Sequence, residues 1–134
     1  MAVVDASIVV RLLQNRRDDT ALRAWFEGQR HVQAPTLIDA EVASAIRGWM
    51  ITTKSMVRIG PRRGLEMARD FADLPLDRYP MHPHLTRVLS LRNNFTAHDA
   101  FYVALAEALE VPLVTDDHKF AKAPGHNAHV QRWE

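Results

Sequence analysis

Apolar and polar runs alternate along this chain in a way that predicts strands separated by helices. Short apolar runs at residues 3–5 and 111–115 are typical of buried strands, and weaker strand patterns occur at 31–34, 74–79 and 128–130. In the intervals, apolar residues recur every three or four positions, as on one face of a helix. This alternation favours a parallel sheet with helices on both faces, so we expect an α/β fold.

The predicted helices begin at recognisable capping residues. Ser7 can cap the first helix, while the pairs Thr36 with Asp39 and Thr96 with Asp99 have a spacing much like that of a capping box. The segment 100–109 is apolar on almost all sides, which indicates a buried helix. Further helices are expected at 20–29, from 36 to about 50, around 65–72 and at 83–93.

Composition narrows the setting and the chemistry. The chain has 134 residues, 47% of them hydrophobic and 25% charged, which suits one domain over residues 1–134. It has no cysteine, so disulfides, thiolate zinc sites and cysteine nucleophiles are excluded. No apolar run approaches the roughly 20 residues that cross a bilayer, and charges near the start argue against a signal peptide. We therefore expect a cytoplasmic protein.

The net charge of +1 at pH 7 does not by itself indicate a partner, but the charge is unevenly distributed. Residues 42–65 contain no acid, whereas their cations are Arg47, Lys54, Arg58, Arg62 and Arg63. Such a segment can be a solvated helix face, or it can attract phosphates or an acidic partner. The charge pattern leaves both interpretations open.

Four acidic positions are difficult to explain by structure alone, because each lies at a strand end or near a helix start. Asp5 ends the first strand, Glu41 lies one turn inside the helix from residue 36, and Asp99 begins the buried helix. Asp117, with Asp116 before it, follows the strand at 111–115. Taken singly, each could be a cap, a turn residue or a surface charge. Together they are expected at one edge of the sheet, where open α/β sheets form their sites.

A cluster of carboxylates predicts a bound cation. Two carboxylates ~4 Å apart repel by about 4 kcal/mol at an effective dielectric constant of about 20, so a bare cluster would have to take up protons. Hard oxygen ligands suit Mg²⁺ or Mn²⁺. Zinc has little support, because the sequence contains neither cysteine nor a His-Glu-x-x-His pattern. A carboxylate-held divalent ion activates water and neutralises charge on a phosphate. These residues therefore indicate hydrolysis of a phosphodiester.

The four acidic motifs, in this order, resemble those of PIN-domain ribonucleases. They are Asp-Ala-Ser at 5–7, Ala-Glu-Val-Ala at 40–43, His-Asp-Ala at 98–100 and Val-Thr-Asp-Asp at 114–117. Each motif is short, but the set extends over the whole chain, and the chain length is similar to that of VapC-type toxins of bacterial VapBC toxin–antitoxin pairs. The resemblance implies a three-layer α/β/α sandwich with a five-stranded parallel sheet.

The resemblance also implies roles for single acids. Asp5 and Asp99 would be the principal metal ligands, and Glu41 would complete the metal site or position water. The family's last motif reads Thr-x-Asp, which places the fourth acid on Asp117 and leaves Asp116 as a candidate substitute.

The implied activity is that of a Mg²⁺-dependent endoribonuclease, with Mn²⁺ as a replacement ion, which cuts tRNA, rRNA or mRNA as the toxin of a type II pair. Ser7 and Thr115 would hydrogen-bond the carboxylates, and Arg47, Lys54 and Arg58 would contact RNA or antitoxin. We expect a homodimer and, with a VapB-like antitoxin, a heterotetramer or larger assembly. Two alternatives stay open: a catalytically silent PIN-like module that binds RNA or protein, and a stand-alone PIN nuclease without an antitoxin.

Overall fold

A computed structural model describes residues 1–133, which form one five-stranded sheet whose neighbouring strands are all parallel. The predicted α/β fold is therefore confirmed; residue 134, the end of the predicted domain, lies outside the described residues. The strands are β1 (Ala2–Val4), β2 (Val32–Pro35), β3 (Leu76–Tyr79), β4 (Leu113–Thr115) and β5 (Val130–Arg132). The helices are α1 (Ala6–Gln14), α2 (Thr20–Glu27), α3 (Leu37–Ile51), α4 (Pro61–Ala72), α5 (Leu85–Ser90), α6 (Ala97–Leu109) and α7 (Lys119–Lys122).

Helices cover both faces of this sheet. Helices α1, α3 and α4 pack against one another, whereas α5 packs on α6, and α6 lies against β1 and β2. The expected three-layer sandwich is thus confirmed. No helix within residues 1–133 is both long and apolar enough to cross a membrane.

The core forms where the sequence pattern places its apolar residues. Val3 and Val4 of β1 are fully buried, and α6 is buried along most of residues 100–106. Helix α3 buries one stripe, made of Ile38, Val42 and Ile46. Burial of each such side chain contributes roughly 1.5–3 kcal/mol to the free energy of folding. This packing sets α6 against β1 and β2, and α3 against β2.

The strand order β3-β2-β1-β4-β5 makes β1 the central strand. The chain adds β2 and β3 on one side of it and then β4 and β5 on the other. Val4 pairs with Val114, and the Asp5 amide donates to the Val114 carbonyl at 3.3 Å. The residues that follow β1 and β4 therefore leave the sheet side by side at the carboxyl ends of its strands, where doubly wound folds form their sites.

Two predicted helix caps are wrong. Ser7 does not cap α1; the Asp5 carboxylate does so by accepting a first-turn amide at 3.4 Å. Thr36 makes no side-chain capping hydrogen bond, since its backbone is helical (φ -56°, ψ -23°) instead of extended as in a typical capping residue. The expected partner of Thr36, Asp39, pairs with an arginine instead. A cap depends on what else its donors and acceptors reach, which local sequence does not specify.

Other boundaries differ by a few residues. Helix α5 is shorter than the predicted 83–93, because a separate 3₁₀ turn (His82–His84) precedes it. Strand β5 begins two positions later than expected, at Val130. The cap predicted at Thr96 is confirmed, since its hydroxyl accepts the Asp99 amide at 3.3 Å.

Candidate active site

Asp5 lies directly after β1, and both of its carboxylate oxygens are held by hydrogen bonds. Oδ1 accepts from the Ser7 hydroxyl at 2.5 Å and from the Ile8 amide at 3.4 Å. Oδ2 accepts from the Thr115 hydroxyl at 2.5 Å. The two hydroxyls named from the sequence thus both reach this carboxylate, and they fix its orientation at the switch point between β1 and β4.

Asp5 is a buried acid without an ion pair among residues 1–133, and only 6% of it is exposed. Burial raises its pKa to about 6, even though hydrogen bonds from Ser7, Thr115 and the Ile8 amide lower it. The negative charge of Asp116 adds to the rise. A cation placed beside Asp5 would therefore be bound favourably, because it would relieve the cost of the buried charge.

Glu41 extends from α3 to α6, where the Tyr102 hydroxyl donates to its Oε1 at 2.5 Å. The other oxygen, Oε2, lies 3.9 Å from His98 Nδ1. Burial and then the Glu41 interaction raise the pKa of Tyr102, with further contributions from Asp5 and Asp99. The phenol is thus a neutral donor in the field of three carboxylates. A cleft of roughly 280 Å³ opens beside Glu41 and His98.

Asp99 and Asp117 are joined by an ammonium group. Lys119 Nζ lies 2.8 Å from Asp99 Oδ2 and 3.1 Å from Asp117 Oδ2. Burial raises the pKa of Asp117, but the hydrogen bonds and charge of Lys119 outweigh it and hold that pKa below its usual range. The hydrogen bond with Asp99 is the largest cause that raises the pKa of Lys119. The start of α6 and the loop after β4 are therefore linked through one cation.

Asp116 has a different cationic partner from Asp117. Its Oδ2 lies 3.6 Å from Arg11 Nη1, and Arg11 also binds the buried Asp19 at 2.6 Å. Its amide donates to the Ser7 hydroxyl at 3.2 Å. Of the two adjacent acids, Asp117 therefore shares a cation with another candidate ligand and Asp116 does not.

The donor chemistry of these acids suits a hard divalent cation, because all the groups are carboxylates. Within residues 1–133, however, no three acidic or histidine side chains lie close enough together to ligate one ion in this arrangement. The Lys119 ammonium is the cation held here, between Asp99 and Asp117. The residues fit Mg²⁺ or Mn²⁺ by chemistry, and side chains must shift before three of them can share an ion.

The cations expected to contact RNA or antitoxin do not gather with the acids. Arg47 follows Glu41 by six positions on α3, which places it about 120° around the helix. Lys54 and Arg58 lie in the exposed loop between α3 and α4. This loop also carries Met56, which is 97% exposed. Lys54 and Arg58 thus belong to a loop of mixed cationic and apolar character, and Arg47 is exposed on α3.

Sequence reasoning does not identify two residues that the structure brings to the acids, Tyr102 and Lys119. A signal for Tyr102 exists: it is a hydroxyl within an apolar run, three positions after Asp99 and hence on the same helix face. Lys119 has no comparable signal. Its reach to Asp99 depends on how the sheet places α7 beside the start of α6, which is a property of the whole fold.

The topology and the acids at the switch point define a small α/β protein with a group of carboxylates where doubly wound sheets form their sites. The PIN domain family matches residues 2–126, and the chain belongs to this family. Ribonuclease VapC12 of Mycobacterium tuberculosis is 38% identical over 133 residues, which cover 98% of each chain. Ribonuclease VapC1 of the same organism is 37% identical over 124 residues, which cover 92% of this chain and 90% of the relative. The resemblance to VapC-type proteins is thus confirmed.

Solved structures share the fold at lower sequence identity. DNA-bound VapBC from Salmonella typhimurium aligns with a TM-score of 0.69 and 15% identity over 98% of this chain and 97% of that chain. VapBC2 from Rickettsia felis, bound to a promoter DNA fragment, aligns with a TM-score of 0.68 and 15% identity over 99% of this chain and 98% of that chain. At this identity the likeness concerns the fold alone.

Proposed function

We propose that this chain is a divalent-metal-dependent endoribonuclease of the VapC type, the toxin of a toxin–antitoxin pair. The proposal depends above all on one observation: Asp5 and Asp117 follow the neighbouring strands β1 and β4, and a lysine ammonium joins Asp117 to Asp99. Relatives at 37–38% identity are named ribonucleases, which supports RNA as the substrate. An RNA substrate implies action in the cytoplasm.

In the proposed mechanism, Asp5, Asp99 and Asp117 would hold Mg²⁺ or Mn²⁺, with Glu41 beside them. When bound, such an ion supplies positive charge to a phosphate and lowers the pKa of nearby water. The Ser7 and Thr115 hydroxyls would keep the Asp5 carboxylate in one orientation.

Glu41 is suited to handle the proton of the attacking water. Its Oε1 is fixed by the Tyr102 hydroxyl, so the carboxylate keeps one direction. Its Oε2, which Tyr102 leaves free, would accept the proton as water attacks phosphorus and the phosphorus–oxygen bond of the RNA breaks. Holding acceptor and substrate in one geometry lowers the barrier without a covalent step.

A VapB-like antitoxin is the partner we propose, and the VapBC complexes among the structural relatives support it. The exposed loop that carries Lys54, Met56 and Arg58, together with the exposed Arg47 on α3, is suited to a protein segment that is both acidic and apolar. Met56 is exposed on it almost completely, which favours an apolar contact in addition to charge pairing.

We also propose a homodimer, which the antitoxin would enlarge to a heterotetramer or a larger assembly. Leu85 and Leu89 on α5 are 51% and 61% exposed. They are four positions apart and therefore lie on one face of the helix. An apolar helix face of this kind is suited to a second copy of the chain, and light scattering of the purified protein will measure its mass.

Cleavage of total tRNA and rRNA by the purified chain tests the activity in Mg²⁺, in Mn²⁺ and in EDTA. We expect cleavage with either ion and none in EDTA. Asp5→Asn and Asp99→Asn should abolish cleavage while circular dichroism shows a folded protein. Asp70→Asn, which removes an exposed acid on α4, is the matched control and should cleave like the wild type.

Other outcomes would favour the alternatives. RNA binding without cleavage under all ion conditions would support the silent binding module. Cleavage by a chain with no small DNA-binding protein encoded beside it would support a stand-alone nuclease. Unchanged cleavage in both Asn variants would reject the site assignment.

A further inference from the structure

Lys119 is the one basic side chain within residues 1–133 that contacts two of the proposed metal ligands. Its ammonium lies 2.8 Å from Asp99 Oδ2 and 3.1 Å from Asp117 Oδ2. These two acids come from different elements, the first turn of α6 and the loop after β4. As carboxylates that share one ammonium, they would repel each other if it left. Lys119 therefore does for this pair what a bound metal ion would do.

The backbone of Lys119 is anchored, whereas its side chain can leave. The Lys119 amide donates to Asp117 Oδ1 at 3.0 Å, and the next residue, Phe120, is buried and stacks on Phe95 with ring centroids 5.8 Å apart. The Lys119 side chain itself is 52% exposed. Ion pairs with this exposure are weak because water screens them and the freed side chain is readily hydrated. The ammonium is held in place but is replaceable.

We propose that Lys119 is an exchangeable internal counterion of the metal site. In the metal-free protein it holds Asp99 and Asp117 together, and it must withdraw when a divalent ion takes these carboxylates. This role depends on the proposed function, since it requires that the two acids are metal ligands. Lys119 thereby stabilises the metal-free fold and weakens the apparent affinity for the ion, because each binding event must first break its two contacts.

The role of Lys119 makes two linked predictions about a variant that lacks its charge. Lys119→Met keeps an unbranched apolar side chain and removes the ammonium, which also lies 5.7 Å from the centroid of the Phe120 ring. Its affinity for Mn²⁺ should rise by roughly three- to tenfold, since weak, screened contacts compete with the ion. Its melting temperature in EDTA should fall, because Asp99 and Asp117 then repel without a partner. Saturating Mn²⁺ should remove most of that difference.

Isothermal titration of metal-free full-length protein with Mn²⁺, together with melting curves in EDTA, measures both effects without an RNA substrate. Lys122→Met is the matched control, because it removes an exposed cation from the same helix. It should change neither property. Lys119→Arg keeps the charge and should stay near the wild type. If Lys119→Met does not fold in EDTA, Lys119→Gln gives the same affinity comparison with a side chain that still hydrogen-bonds Asp99.

Mn²⁺ affinity and RNA cleavage together distinguish a wrong role for Lys119 from a wrong assignment of the metal site. If Lys119→Met and Lys122→Met both bind Mn²⁺ with the affinity of the wild type, the counterion role is rejected. The proposed metal site is then left intact. Weaker binding in Lys119→Met would reject the counterion role too, since it would make Lys119 a helper of the ion. No Mn²⁺ uptake by any variant, together with no RNA cleavage, would overturn both.

Discussion

Asp5 shows how one residue can be costly to the fold and useful to the site. Its pKa is raised to about 6 by burial, above the value of about 3.9 for an exposed aspartate. The folded state therefore holds a proton that the unfolded state has lost between about pH 4 and 6, and folding stability falls as pH rises through this window. The loss is on the order of 3 kcal/mol at most. A bound cation would return part of it.

Asp5→Asn should therefore stabilise the metal-free protein at neutral pH. In EDTA at pH 7.5 the variant is expected to melt at a higher temperature than the wild type, because no buried charge remains. The gain should shrink as the pH approaches 4, where the wild-type carboxyl is protonated. Saturating Mn²⁺ should raise the melting temperature of the wild type more than that of the variant, because only the wild type keeps the Asp5 carboxylate as a ligand. A variant that is less stable than wild type in EDTA at pH 7.5 would contradict the raised pKa.

Tyr102→Phe should impair catalysis more than folding. The substitution keeps the buried ring and removes the donor that fixes Glu41 Oε1. We expect kcat for RNA cleavage to fall about 10- to 100-fold, as is usual when a group that orients a catalytic carboxylate is lost, with KM little changed. The free energy of unfolding should change by about 1 kcal/mol. Tyr79→Phe, at the end of β3, is the control; an equal loss of kcat there would assign the effect to general destabilisation.

At the scale of elements, Arg11 ties α1 to two other segments. It binds Asp19, whose side chain is fully buried in the turn before α2, and it lies near Asp116 in the loop after β4. Arg16 also contacts Asp19 but is 51% exposed. The hydrogen bond from Arg11 is the largest cause that lowers the pKa of Asp19. This ion pair therefore contributes stability above the unfolded pKa of aspartate, and the contribution is lost as pH falls below about 4.

Arg11→Met should be strongly destabilising at neutral pH. It leaves Asp19 as a buried charge with only the more exposed Arg16 as partner, and loss of one member of a buried pair costs ~3–5 kcal/mol. Urea unfolding at pH 7 measures the loss, which should become smaller near pH 3, where Asp19 can take up a proton. Arg62→Met removes an arginine that is 96% exposed, and it should change stability by less than about 0.5 kcal/mol. Equal effects of the two substitutions would refute the role of the buried pair.

At the scale of the whole molecule, the surface around Met56 should recognise the antitoxin without taking part in cleavage. Met56→Ser combined with Arg58→Ser should weaken antitoxin binding by at least about tenfold, because it removes an exposed apolar anchor and a charge. RNA cleavage by the free chain should stay unchanged. Titration with the protein encoded in the neighbouring reading frame measures the affinity, and Arg69→Ser on α4 is the control. Unchanged affinity would place the antitoxin elsewhere.

Periodicity alone predicted the sheet class, because strands and helices bury apolar residues at different spacings. It also placed Asp5 and Asp117 after strands, Glu41 one turn inside a helix and Asp99 in the first turn of another, so that one edge of a parallel sheet was expected to collect them. It could not decide between Ser7 and Asp5 as the cap of α1, because both can accept an amide and the Thr115 hydroxyl that also holds Asp5 comes from 110 positions away. For the same reason, the contact of Lys119 with Asp99 follows from the assembled fold and from no local pattern.

The hydrogen bond between Thr115 and Asp5 also has a kinetic consequence. These residues are separated by 110 positions, whereas β1 reaches β2 within about thirty. Contacts of such long range tend to close late in folding, because the entropy of closing the loop must be lost before the contact is gained. A partly folded chain with only β1, β2 and β3 in place would contain Asp5 and Glu41 but would lack the β4 side of the site. A chain in which β4 has not yet joined β1 would therefore lack the proposed cleavage activity.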